Sequence, residues 1–180
     1  MKKTLAMAAT IVMMLTATAG AQTANTGSLA LTGQVDGSII LSFHQNTSGG
    51  FTLTSGDGTA AAGANLSTVS MYGTATGIVA GSNFVKTNQV DGFTLSGPMD
   101  VQVDKANITS SGYTLSAQLT SSDSSEWSLG GASLNSTSPV VVVSEGSYAA
   151  RTPLTLSVKF PTSMNSGSVS NTINFVATAQ

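Results

Sequence analysis

Apolar and polar residues alternate along most of this chain. In the stretch YTLSAQL, Tyr113, Leu115, Ala117 and Leu119 fall on one side and Thr114, Ser116 and Gln118 on the other. A period of two is that of a strand with one buried face. Leu154, Leu156, Val158 and Phe160 repeat it after Pro153. From Val169 the odd positions read Val169, Asn171, Ile173, Phe175, Ala177 and Ala179, an apolar side with one polar member. Such a pattern predicts a strand with a neighbouring strand or groove to receive it.

The remaining elements are shorter. In GSLALTGQV, Leu29, Leu31 and Val35 share one face of an expected first strand. Asp36-Gly37 reads as a kink where that strand switches sheets, and Ile39, Leu41 and Phe43 resume the parity. Phe51–Thr54 and Leu66–Tyr72 are predicted strands, separated by a small-residue loop over Gly58–Ala64. Short strands are expected at Ile78–Ala80 and Asn83–Val85. Phe93–Leu95 and Val101–Val103 read as two strands around Gly97-Pro98. The unbroken run Val140–Val143 after Pro139 suggests a strand buried on both faces. Gly, Asp-Gly and Ser-Gly turns punctuate these runs, and helical spacing is not sustained beyond residue 21. The prediction is an all-β fold, one immunoglobulin-like β-sandwich, with no internal repeat and no linker that would divide it.

The first 21 residues differ in kind. Lys2 and Lys3 precede an apolar run from Leu5 to Leu15, and Ala19-Gly20-Ala21 is a small-x-small cleavage site. These are the parts of a bacterial-type export signal, cleaved after Ala21, rather than of a membrane span. Removing 21 of 180 residues leaves 159, Gln22–Gln180, enough for one domain with a core. The expected location is the periplasm, the cell surface or the extracellular space.

Charge narrows the function classes. Without Lys2 and Lys3, four basic residues face eight acidic ones, a net charge of about −4. No basic patch offers itself to nucleic acid. Charged residues make up only 8% of the chain, so the surface must be built of Ser, Thr, Asn, Gln and Gly. A cytosolic enzyme ordinarily carries about a quarter charged residues. There is no cysteine, which removes thiolate metal sites, thiol catalysis and disulfides together.

Little catalytic chemistry is on offer. The single histidine, His44, ends an apolar strand and reads as an exposed strand-end residue rather than a metal ligand or general base. No G-x-S-x-G elbow supports a serine nucleophile. Glu126 and Glu145 lie in separate polar turns. Asp36, Asp57 and Asp91 each precede a glycine, which is turn chemistry and not a calcium loop. Trp127, Tyr113 and Tyr148 could stack on a sugar, but a lone Trp and strand tyrosines are more often core residues. No cofactor and no enzymatic activity are expected.

The last residues, GSVSNTINFVATAQ, resemble the C-terminal strand of chaperone–usher pilin subunits. There a glycine fourteen residues from the end precedes alternating apolar positions; Gly167, Val169, Ile173, Phe175, Ala177 and Ala179 fall on that pattern. GSLALTGQV looks like that family's first strand, with Leu29 and Leu31 inward. LTLSVKFPTSMNSGSVSNTINF is similar in style to spore-coat-protein-U-like domains. The resemblance implies a sandwich lacking one strand, whose groove takes a strand from a periplasmic chaperone and then from the next subunit. Backbone hydrogen bonds would supply affinity and side-chain pockets specificity. The sequence departs from the family in having Ala179 where an aromatic residue is usual, in lacking the cysteine pair, and in the extension QTANTG, which offers no large apolar residue to fill a pocket. The expected function is therefore an exported, pilin-like or coat-like structural subunit assembling through edge strands. The alternative is a self-contained secreted module binding a polysaccharide or surface, and a hydrolase on a β-scaffold ranks third. A cluster of His44 with an acid and a serine would mark that third reading.

Overall fold

One long strand organises the molecule. The computed structural model describes residues 30 and 32–180, and residues 35–180 form a compact unit. The export signal expected at 1–21, and Leu29 and Leu31, lie outside the described residues. In chain order the strands are β1 (Ser38–His44), β2 (Leu53–Ser55), β3 (Gly63–Ala64), β4 (Gly77–Ile78), β5 (Val85–Gln89), β6 (Gly92–Ala106), β7 (Tyr113–Leu119), β8 (Glu126–Leu129), β9 (Ala132–Ser133), β10 (Val140–Gly146), β11 (Arg151–Pro161) and β12 (Ile173–Ala179).

β6 is the spine. On one side it pairs with β11 from Gly92↔Pro161 to Gln102↔Arg151. On its other side it has two partners in succession: β5 along Gly92–Ser96 and β1 along Asp100–Ala106. Pro98 falls in the gap between them. Its carbonyl points toward Gly50, where a Cβ would run into that oxygen. N–H and C=O of one strand residue point to the same edge, so the missing proline N–H costs no ladder bond here. The two strands expected around Gly97-Pro98 are therefore one. β4, β8 and β9 complete this sheet in the order β4-β5-β6-β11-β8-β9, with β1 beside β6.

A second sheet has the order β10-β7-β12, and β2-β3 is a small ladder of its own. All pairings are antiparallel, and the described residues contain no helix. Inward residues of both larger sheets share one core: Val101 and Val103 of β6, Val158 of β11, and Tyr113, Leu115 and Ala117 of β7. The arrangement is consistent with a β-sandwich. β7 carries the burial pattern that its alternation predicts, odd positions buried and even positions half-buried.

Three expectations are corrected. Among the described residues the first strand starts at Ser38; residues 32–37, which include the end of the expected first strand, have no regular structure, and Val35 is exposed. Leu66–Tyr72 is not a strand. Ser67 has φ 64° and its amide donates to the Asn65 side chain, an Asx turn that breaks the extended backbone. Leu66, Val69 and Met71 are half-buried there and the residues between them exposed, with the period of two broken at Ser67–Thr68. Finally, the valine run forms β10, which pairs with β7 alone and is bulged twice. As an edge strand it is not buried on both faces, and Val141 is 52% exposed.

Candidate functional site

The residues singled out in the last fourteen positions converge on one edge. Asn174, Val176 and Thr178 of β12 lie opposite Gln118, Ser116 and Thr114 of β7. The flanking bonds fix the phase: the Thr120 amide donates to the Thr172 carbonyl, and the Gln180 amide to the Gly112 carbonyl. Even-numbered residues of β12 thus spend their backbone groups on β7. By the alternation of an antiparallel ladder, the N–H and C=O groups of Ile173, Phe175, Ala177 and Ala179 point the other way. Among the described residues no strand pairs with that outer edge.

The side chains of the same four residues are half-buried, while Asn174, Val176 and Thr178 are exposed. Ile173, Phe175 and Ala177 pack against the core, as does Val169 in the lead-in to the strand. Gly167 lies in an exposed loop, where a Cβ would meet nothing within 4 Å. Asn171, the polar member of the apolar side, is explained by its bonds. Its amide donates to the Ser121 carbonyl at 2.8 Å and to Asp123 at 3.1 Å. Its oxygen takes the Thr120 hydroxyl at 3.2 Å. Asn171 thereby clamps the start of β12 to the β7–β8 turn.

Across from β12 stands β1. Phe43 exchanges backbone bonds with the Gly58–Thr59 turn, its amide to the Thr59 carbonyl at 2.9 Å and its carbonyl from the Gly58 amide at 2.7 Å. By parity, Leu41 and Ile39 turn their backbone groups to that same outer edge. Phe43 and Phe175 touch edge to face. Beside them opens a cavity of about 1490 Å³, walled by Leu41, Phe51 and Leu53 on one side and Val169, Ile173 and Phe175 on the other. Residues 60–72 run along its rim. Among the described residues the outer edge of β12 is unpaired, that of β1 is bonded only at Phe43, and the trough lies beside both, which makes a template for an added strand.

A second cluster occupies the outer face of β1. Ser42 Oγ lies 3.1 Å from His44 Nε2, and Asp57 Oδ1 lies 4.0 Å from His44 Nδ1. The order serine, histidine, acid is that of a hydrolase triad. The Arg151 guanidinium, however, sits 3.2 Å from Nδ1. Arginine can only donate, so Nδ1 must accept and the ring proton resides on Nε2, directed at Ser42. A general base for Ser42 needs the opposite tautomer. Asp57 in turn accepts the Gln45 amide at 2.8 Å and tightens the turn. The contacts tie the end of β1 to Arg151 and to the Asp57 turn.

The aromatic residues considered for sugar stacking point inward. Tyr113 and Trp127 are buried, and the Trp127 indole donates to both Asp123 oxygens at 3.1 Å. Tyr148 packs on Tyr113 with ring centroids 5.5 Å apart. No cluster of three metal-ligating side chains occurs among the described residues. Compared with protein-family models, curated proteins and solved structures, the chain matches none.

Proposed function

We propose that this protein is an exported, pilin-like or coat-like structural subunit with an immunoglobulin-like sandwich, assembling by strand addition to β12. The observation that carries the reading is the coincidence on β12. Among the described residues, Ile173 and Phe175 turn backbone groups outward to an edge that no strand pairs with, and the same two residues line the trough. A strand laid there would gain ladder bonds from Ile173, Phe175, Ala177 and Ala179 and bury side chains against Phe43 and Leu41. A second chain of the same kind, or an export chaperone, is the partner that such an edge fits.

The start of β1 at Ser38 bears on the donor. In the sequence, the residues from Gln22 to Gly37 that precede β1 include Leu29, Leu31 and Val35 on one parity. The extension QTANTG was too polar to fill a trough; the longer segment is not. The self-contained module remains the second reading. It draws on one fact: among the described residues no buried side-chain nitrogen or oxygen lacks a partner, so the body is internally satisfied.

Size-exclusion elution of residues 22–180, purified without any chaperone and compared with the L29D/L31D double variant, separates the two. Assembly predicts large species from the parent chain that the variant does not form, and that a peptide of residues 28–35 disperses. A monomer with one cooperative melt, unaffected by the two substitutions, would sink the assembly reading and leave the module.

A further inference from the structure

Lys86 is the most buried charged residue among those described, with 1% of its surface exposed. Its place on β5 is one for an apolar residue: its neighbours across the ladder are Leu95 and Gly77. Among the described residues no carboxylate pairs with it. Instead its Nζ donates to the carbonyls of Met71 at 2.8 Å and Thr74 at 2.6 Å, and stands 5.3 Å from the centre of the Phe93 ring. An ammonium group taken out of water is costly unless its protons are satisfied. Two carbonyls and a ring face satisfy it here, and both carbonyls belong to one segment.

That segment, residues 65–76, is suspended between two short ladders, β2-β3 ending at Ala64 and β4-β5 beginning at Gly77. Gly77 has φ +105°, with open space around it, as a swivel would. The segment's own bonds are local, from the Ser70 amide to the Thr74 hydroxyl and from the Gly73 amide to the Ser70 hydroxyl. Its hold on the body comes from the half-buried Leu66 and Val69, and from Lys86. It also forms part of the rim of the trough beside β12.

We propose that residues 65–76 are a hinged cover of the trough, latched by Lys86, and that release of the latch widens the trough for an incoming strand. The last clause rests on the assembly reading; the latch itself does not. The cover opens as a unit while β6, β7 and β11 stay paired, because local openings follow the elements with the fewest buried apolar contacts.

The test is proteolysis of the folded chain by an enzyme that cuts after aromatic residues. Tyr72 is 90% exposed in the cover, whereas Tyr113 is fully buried. Lys86→Met keeps the apolar stem and removes the donor, and should speed cleavage after Tyr72 roughly ten- to a hundredfold, the span of a lost charged hydrogen bond. Lys86→Arg should stay near the parent rate. An unchanged rate at Tyr72 in Lys86→Met, or a rise matched by cleavage after Tyr113, overturns the latch. If Lys86→Met does not fold, native-state hydrogen exchange of the parent decides. Ser70 and Gly73 amides exchanging well ahead of Val101 and Leu115 support a separate opening, and exchange only with global unfolding overturns it. Neither arm needs a partner, so a failure of assembly would leave the latch standing, and a failure of the latch would leave assembly intact.

Discussion

Phe43 and Phe175 meet edge to face with ring centroids 4.9 Å apart and planes inclined at 62°. They belong to different sheets, one on β1 and one on β12, and neither strand hydrogen-bonds to the other. The ring contact is what bridges the two edges. A double-mutant cycle of Phe43→Leu and Phe175→Leu, followed by denaturant unfolding, should give a coupling of about 1 kcal/mol. Phe175→Asp should destabilise the fold by about 2–4 kcal/mol, because the half-buried carboxylate would lose part of its hydration against the core. Wild-type stability in that variant would refute the inward placement of Phe175.

Two glycines make opposite predictions. A Cβ on Gly146 would collide with the Tyr113 ring, whereas Gly167 has open space and no left-handed backbone. Gly146→Ala should cost about 1–3 kcal/mol by overpacking. Gly167→Ala should change stability by less than about 0.5 kcal/mol. Thermal melts of the two variants check both. An assembly defect in Gly167→Ala with an unchanged melt would assign that glycine to a partner rather than to the fold.

Asn171→Ala removes the clamp on the start of β12. The loss of bonds to Ser121 and Asp123 should cost about 1–2 kcal/mol. Faster amide exchange should be confined to the Ile173 end of the strand, since Gln180 anchors the other end through the Gly112 carbonyl. Uniform loss of protection along β12 would contradict the clamp.

The tautomer of His44 is measurable directly. Nitrogen-15 correlation spectra of the neutral ring should show the proton on Nε2, held there by Arg151 at Nδ1. Arg151→Met frees Nδ1 and should allow the second tautomer. A proton on Nδ1 in the parent protein would reopen the hydrolase reading.

Asp91 and Lys159 form an exposed ion pair at 2.8 Å, with Glu126 at 3.5 Å from the same ammonium. The hydrogen bond from Lys159 holds the Asp91 carboxyl below the ordinary carboxylate value, and the bond to Asp91 raises Lys159 above the ordinary lysine value. The Asp91 contribution to stability is therefore present above the ordinary carboxylate range and lost as pH falls through its own lower value. The Lys159 contribution is present below the ordinary lysine value and lost as pH rises through its own higher one. A carbon-13 titration should show the depressed Asp91 midpoint returning toward normal in Lys159→Met, and salt should weaken the effect in the parent.

The alternation in the sequence located β7, β11 and β12 because each has one face on the core and one on solvent. It misled at Leu66–Tyr72, where the apolar residues stay half-buried but Ser67 turns the backbone and breaks the period of two. It misled at Val140–Val143 because a valine run does not reveal that its strand has a neighbour on one side only. Pro98 looked like a break, since no local pattern shows that β5 and β1 share one edge of β6 and leave a gap for it. The grouping of Ile173, Phe175, Ala177 and Ala179 was legible, whereas their opposition to Phe43 and Leu41 depends on pairings between distant segments. Lys86 carried no signal: a lysine between valine and threonine reads as a surface residue until the carbonyls of Met71 and Thr74 are placed above it.

The flanks of the folded body meet at the connection between β6 and β7. Gly37 packs against Asn107 and Ile108, and the Gln180 amide bonds to the Gly112 carbonyl. A pull applied between Gly37 and Gln180 would therefore grip both strands at the same end. β1 would peel from β6 starting at Ser38, and β12 from β7 starting at Ala179, one rung at a time. Rungs broken in sequence resist far less force than rungs loaded together in shear. Gripped at these two points the body should open at low force, and if bodies join by the strand addition proposed above, their tensile strength would have to come from a strand drawn lengthwise along β12.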